Sequence, residues 1–269
     1  MNYQTIEVAV ADGTATVWLN RPDVRNAMNE TVIDELRTAF AALGRDESVR
    51  VVVLAGRGSA FCAGADLHWM KRMADFSEAE NESDAMRLAT MLHTLHTLPK
   101  PTIARVHGPA FAGGMGLACA CDLIVAASTA EFCLSEVKIG LVPATISPYV
   151  VRALGAHAAR RYMLTAERMS AAEGHRIGFV HELCEAEAID DTVQGLVGKL
   201  ENAGPAALAQ TKKLLDAVVD RPIEPPLITM TAKLIAQVRA SAEGRSGVRS
   251  FLEKARAPWL RTRAPGDTK

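Results

Sequence analysis

The sequence predicts an α/β core followed by a helical C-terminal region, on three observations. Twice, at 50–73 and 102–120, an apolar strand-like run passes through a glycine-rich turn into a helix-like stretch. Ahead of these units, "IEVAVADGTATVWLN" alternates apolar residues on both sides of Asp12-Gly13, the pattern of a hairpin. From about residue 147 onward the segments read as helices.

The elements follow in order. After the hairpin, "RPDVRNAM" is a loop. "NETVIDELRTAFAAL" carries Asn29 as N-cap and Val32, Ile33, Leu36, Phe40 and Leu43 at helical spacing, so it is an amphipathic helix. "VRVVVLAG" is the kind of strand buried on both faces. "GRGSAFCAGADL" turns into a helix. Residues 74–84 are acidic and poor in large apolar residues, and they read as an exposed loop or helix start. "MRLATMLHTLHTL" is a helix stopped by Pro99 and Pro101. "TIARVHG" is a second buried strand, followed by the turn and helix of "PAFAGGMGLACA". "DLIVAAS" and "AEFCLS" are short strands, and the helices of the C-terminal part end with "GVRSFLEKARAPWL".

Composition narrows the class. The 269 residues are 49% hydrophobic and 23% charged, ordinary globular usage. A formal net charge of -1 argues against a general nucleic-acid surface. No apolar run is long enough to span a membrane, and the opening "MNYQTIEV" lacks the basic and apolar parts of a secretion signal. Five cysteines, an odd number with no CxxC pair, sit mostly in apolar stretches, which fits buried thiols in a reduced, cytoplasmic protein.

The glycine turns carry the first functional signal. The leading N–H groups of a helix have no intrahelical partner and favour negative charge. Glycine lets a ligand approach them closely. Two such turns could aim two N–H groups at one oxygen, an oxyanion hole for a thioester or ester carbonyl; tight helix packing is the competing explanation for small residues. No GKS or GKT follows either turn, and "GPAFAGGMG" does not form a dinucleotide fingerprint, so neither a P-loop nor an NAD site is expected.

"SAFCAGADL", "KPTIARVHGPAFAGGMGLACACDLIVAAS" and "AEFCLSEVKIGLVP" together resemble the crotonase family of enoyl-CoA hydratases and isomerases. "VWLNRPDVRNAMNETVIDEL" and "FLEKARAPW" extend the resemblance over nearly the whole chain. The resemblance implies a ββα spiral core binding acyl-CoA over 1–200 and a C-terminal helical trimerisation region over 201–269. It further implies a trimer or dimer of trimers, and an acyl-CoA substrate that needs no separate cofactor. Carried onto this chain, the oxyanion donors are the N–H groups of Ala65 and Gly113. Of the two glutamates typical of family hydratases, one matches Glu136 in "FCLSEV"; the position of the other is Gly116. Glu136 alone suffices for an isomerase that moves a proton between carbons of a 3-enoyl chain. As a hydratase, Glu136 would both position water and deliver the proton. "ATISPYV", in place of a glycine-rich segment, resembles a subgroup of bacterial hydratases acting on branched glutaconyl-CoA esters. A glycine at 116 would also spare a substrate carboxylate from repulsion by a second glutamate. A non-catalytic acyl-CoA-binding trimer is the third reading, and Glu136 speaks against it.

Residues assigned to substrate contact are Arg25, Ala63, Asp66, Leu67, Gly116 and Lys254. The resemblance offers Arg25 and Lys254 for CoA phosphates, with Lys254 acting on a neighbouring subunit's ligand. Asp66 competes with a structural role in the first turn of a helix. Trp69 and Met70 either line the acyl pocket or pack in the core. His93 and His96 stand three apart on a helix with no further ligand cluster, so no metal is assigned. Ser135 lacks a GxSxG elbow. The apolar flanks of Glu136 predict partial burial and a raised pKa.

Overall fold

A computed structural model describes residues 2–260. The chain forms two compact units, Met1–Leu196 and Val197–Lys269. The end of the expected C-terminal region, 261–269, lies outside the described residues.

The first unit opens with β1 (Ile6–Ala11) and β2 (Thr14–Leu19), an antiparallel hairpin in which Ala11 faces Thr14. Asp12 and Gly13 both have positive φ (47° and 82°), as a two-residue I′ turn requires. α1 (Glu30–Arg45) starts at Asn29, whose side chain accepts the Val32 N–H at 3.1 Å. Its apolar stripe, Val32, Ile33, Leu36, Phe40 and Leu43, is buried. β3 (Val51–Gly56) is buried at every position and pairs in parallel with β2. α2 (Leu67–Met73) and α3 (Glu78–His96) follow. Most of the acidic 74–84 stretch is therefore helical rather than loop. Ser77 and Glu80 form a capping box, with Glu80 Oε2 accepting the Ser77 N–H at 2.8 Å. That local bonding starts the helix before any apolar residue can help.

β4 (Thr102–Val106) adds in parallel to β3. β5 (Ala110–Phe111) leads into α4 (Gly113–Ala120), and then come β6 (Leu123–Ala127) and β7 (Glu131–Cys133). α5 (Ser147–Thr165) is broken at Gly155, where φ is 72°. β8 (Met169–Ser170), α6 (Ala171–Arg176) and β9 (Glu182–Cys184) complete the strands, and α7 (Ile189–Glu201) runs across the boundary between the units. β8 and β9, unanticipated in the sequence, close the two sheets: six strands in the order β1-β2-β3-β4-β6-β9, and three in the order β5-β7-β8. Phe132 of the small sheet meets Phe179 edge-to-face, centroids 4.9 Å apart, inside the core.

The second unit contains α8 (Pro205–Val218), α9 (Pro225–Ala240) and α10 (Ala242–Leu252). α10 begins before the expected "GVRSFLEK", because Ser241 caps it by accepting the Gly244 N–H at 3.0 Å. No helix of the described residues is long and apolar enough to cross a membrane.

Candidate active site

Three parallel segments of the first unit lie side by side. Cys62 bridges Ala110, and Ala110 pairs with Phe132. Cys62 N–H donates to Pro109 O at 3.1 Å, Phe111 N–H to Cys62 O at 2.9 Å, and Ala112 N–H to Cys133 O at 2.7 Å. Running the same way, the three segments deliver Ala65, Gly113 and Glu136 at one end. The sequence of each segment beyond its paired residue thus sets the site.

Peptide geometry fixes where the amides point, since C=O and N–H of a trans peptide lie on opposite sides. The carbonyl of Gly64 accepts the Met28 N–H at 2.8 Å, so the Ala65 N–H of that peptide points away from Met28. The carbonyl of Ala112 accepts the Gly116 N–H at 3.1 Å inside α4, so the Gly113 N–H points out of the helix N-terminus. Neither amide has an acceptor among the described residues. Both turns need unusual backbone: Gly64 has φ 101°, and Ala112 holds φ 47° and ψ -119°, a strained conformation for a residue with a side chain. The turns also touch. A Cβ on Gly64 would lie 3.1 Å from Ala112 Cβ, and one on Gly114 only 2.3 Å from Cys62 O.

The first turn is tied down by polar side chains. Asn26, buried, donates through Nδ2 to Arg57 O and Ala60 O, both at 2.8 Å, and accepts the Arg21 N–H at 2.9 Å. Its φ of 57° suits asparagine better than most residues. Asp66 is 4% exposed. Its Oδ1 accepts the His68 N–H at 2.8 Å and the Trp69 N–H at 3.3 Å, and its Oδ2 pairs with Arg21 Nη2 at 2.8 Å. Burial opposes ionisation of Asp66, but Arg21 and these amides outweigh it and hold the carboxyl below its ordinary value. Both oxygens are thus engaged by the protein, which gives Asp66 the structural role weighed against substrate contact.

Glu136 opens the short 3-10 turn Glu136–Ile139 after β7. It is half-buried, and its Oε2 is a buried oxygen with no hydrogen-bond partner. Burial pushes its carboxyl above the ordinary range, against a weaker opposing pull from its own backbone amide. A carboxyl with a free buried oxygen, on a segment that runs beside those of two unused N–H groups, is suited to carrying a proton to and from a ligand.

Gly116 is buried in α4, and the place of its missing side chain is taken: a Cβ there would lie 2.2 Å from Ile146 Cγ2. Ile146, 2% exposed, precedes α5 within "ATISPYV". Gly116 therefore opens no space toward a ligand; it makes room for an isoleucine. Arg25 is exposed with φ 52°, and its carbonyl accepts the Ala63 N–H at 2.9 Å, which sets both beside the first turn. Leu67, first residue of α2, is 79% exposed. Trp69 is buried, its Nε1 donating to Asp84 Oδ1 at 3.3 Å, and packs in the core. Lys254 is an exposed residue of the second unit, in the turn after α10. Among the described residues no group of three or more His, Cys, Asp or Glu is placed to hold a metal ion.

Sequence reasoning missed Arg21, Asn26 and Ile146. Asn26, a polar residue just before apolar Ala27-Met28 in a loop, was the available signal for a left-handed, internally bonded asparagine. Nothing local marks Ile146 as the partner of Gly116.

Two sheets, twin N–H turns and a carboxyl at one end define an α/β protein of the crotonase class. The chain belongs to the enoyl-CoA hydratase/isomerase family, whose sequence profile matches residues 10–262. It is similar to a candidate enoyl-CoA hydratase of Thermus thermophilus, 38% identical over 240 residues that cover 89% of this chain and 94% of the relative. Among solved structures, an enoyl-CoA hydratase of Shewanella pealeana is 39% identical with a TM-score of 0.93, covering 95% of this chain and 96% of that one. Pseudomonas aeruginosa AtuE is 35% identical with a TM-score of 0.90, covering 96% and 100%.

Proposed function

We propose that this protein is an enoyl-CoA hydratase that adds water to a 2-enoyl-CoA through Ala65, Gly113 and the single carboxylate Glu136. The observation that carries the reading is the delivery of two unpaired N–H groups and one unpaired carboxyl oxygen to the same end of three parallel segments. The thioester oxygen accepts both N–H groups. Glu136 takes a proton from water as its oxygen bonds C3, the double-bond electrons move onto the thioester oxygen as an enolate, and Glu136 returns the proton to C2. The N–H pair stabilises the charge that develops on that oxygen. Arg25, Ala63 and Leu67 border the ligand in this reading, and Lys254 reaches the CoA of a neighbouring subunit.

The finer substrate class is a branched or glutaconyl-type enoyl-CoA. The resemblance of "ATISPYV" to such hydratases supports it, together with the isoleucine that stands where a second carboxylate would. A substrate carboxylate then meets no protein anion from position 116. The same Gly116–Ile146 contact favours a second reading, isomerisation of a 3-enoyl-CoA, since that chemistry needs one proton carrier only.

For assembly we propose a trimer or dimer of trimers, supported by the exposed apolar residues of the second unit, with Phe251 at 83% and Ile223 at 85%; sedimentation tests it. The activity test is incubation with 2-enoyl- and 3-enoyl-CoA esters, 3-methylglutaconyl-CoA included, with products analysed by mass. Gain of one water supports hydration, and a shifted bond without mass change supports the isomerase. Glu136→Gln is expected to cut turnover by roughly 10²–10⁴-fold with acyl-CoA binding retained. Full turnover in that variant would exclude both reactions as drawn.

A further inference from the structure

We propose that Arg21, which is outside the set of residues meeting the ligand, is a positioning residue that sets the direction of the Ala65 N–H through its ion pair with Asp66. The inference rests on the reading of Ala65 as an oxyanion donor.

The peptide that carries this N–H follows Gly64, whose φ of 101° is open to glycine, and its carbonyl is held from one side by the Met28 N–H at 2.8 Å. On its far side Ala65 is joined to Asp66, whose own N–H donates to Met28 O at 2.8 Å. The Asp66 side chain makes the stronger anchor, because it is a carboxylate out of water with three donors around it. Two of those donors are amides of α2, which move with the residue. Only Arg21 comes from elsewhere in the chain. Its guanidinium is fixed in turn: Nη1 donates to Ala27 O at 2.6 Å, and the Arg21 backbone N–H donates to Asn26 at 2.9 Å. Arg21 thus ties the residue next to Ala65 to the loop that also holds Gly64. Without the cation, a buried carboxylate must take a proton or turn toward water. Either change acts on the neighbouring peptide.

The test uses the full chain with 1-¹³C-butanoyl-CoA, a saturated thioester that is not turned over. Its labelled carbonyl stretch falls in frequency when an oxyanion hole polarises it. Turnover of a 2-enoyl-CoA and denaturant stability are measured alongside. In Arg21→Met the carbonyl shift is expected to shrink by at least half. Its kcat is expected to fall about ten- to hundred-fold with KM nearly unchanged, as for a small misplacement of a group used in the transition state. Arg21→Lys should recover part of both. A folded Arg21→Met with wild-type shift and kcat, and lower stability alone, overturns the proposal. Should Arg21→Met not fold, Asp66→Asn gives the same reading, because asparagine keeps the helix cap and loses the charge; a full carbonyl shift there also overturns it. An unshifted carbonyl in the wild type overturns the hole itself, a failure separate from the loss of shift only in the variants.

Discussion

The two glycine turns present the same group, a backbone N–H without an internal acceptor, and they are held in opposite ways. Polar side chains hold the first: Asn26 bonds the chain ahead of it, and Asp66 with Arg21 locks the chain behind it. The second has no side-chain cap at all. It is held by the backbone bonds of Phe111 and Ala112 and by contact, with Gly114 against the backbone of Cys62 and Gly116 against Ile146. One half of the site is therefore fixed by side-chain charge and hydrogen bonding, the other by backbone bonding and shape. They should fail differently, and that difference is open to experiment.

The largest effect is expected on the side held by shape. Gly114→Ala places a Cβ 2.3 Å from Cys62 O, a backbone atom between the two turns that cannot move alone. A loss of about 3 kcal/mol in denaturant unfolding is expected, with turnover lost in the protein that remains folded. Unchanged stability would show that the turns do not bear on each other.

A smaller quantity, the coupling between two substitutions, tests Gly116. Gly116→Ala drives a Cβ into Ile146 Cγ2, and Ile146→Ala removes that atom at a cost of about 2–5 kcal/mol. The double variant should cost less than the sum of the two, by about 1 kcal/mol. Strict additivity would mean that the two residues do not share the space.

The smallest effect belongs to the side held by charge, and it appears with pH. The Asp66 carboxyl is held low, so its contribution to stability is complete above the unfolded value of about 3.9 and is lost as pH falls through its lower folded value. Glu136 has the opposite sign. Its raised carboxyl favours the fold below about pH 4.3, and that contribution is lost as pH rises through its folded value. The stability difference between wild type and Asp66→Asn should hence narrow as pH is lowered past about 4. The difference for Glu136→Gln should change at higher pH. An Asp66→Asn difference that stays constant down to pH 2 would remove charge from the account of the first turn.

Much of this organisation is legible in the sequence, and the exceptions have a common cause. β3 is an unbroken apolar run, and α1 carries a full stripe behind Asn29, so both follow from short-range pattern. The paired turns show through their glycines. Ala65, Gly113 and Glu136 were matched through family resemblance, and local pattern alone left the turns ambiguous. β8 and β9 are two and three residues long, too short for alternation to register. The start of α3 was obscured because its first turns are polar, although Ser77 and Glu80 carry the capping signal. Arg21, Asn26 and Ile146 owe their roles to partners distant in the chain. An aspartate before a helix favours a cap over a ligand contact from sequence, and Arg21 beside it supplies the ion pair that sequence does not show.

The three parallel segments have one further consequence. Neighbouring strands sit at a spacing of about 4.8 Å set by backbone hydrogen bonding, whatever side chains they carry. The relative placement of the Ala65, Gly113 and Glu136 backbones is inherited from that lattice. Substitutions can therefore reshape what surrounds an acyl tail, or change the side chain at position 116, while the backbone spacing from which the site projects stays the same.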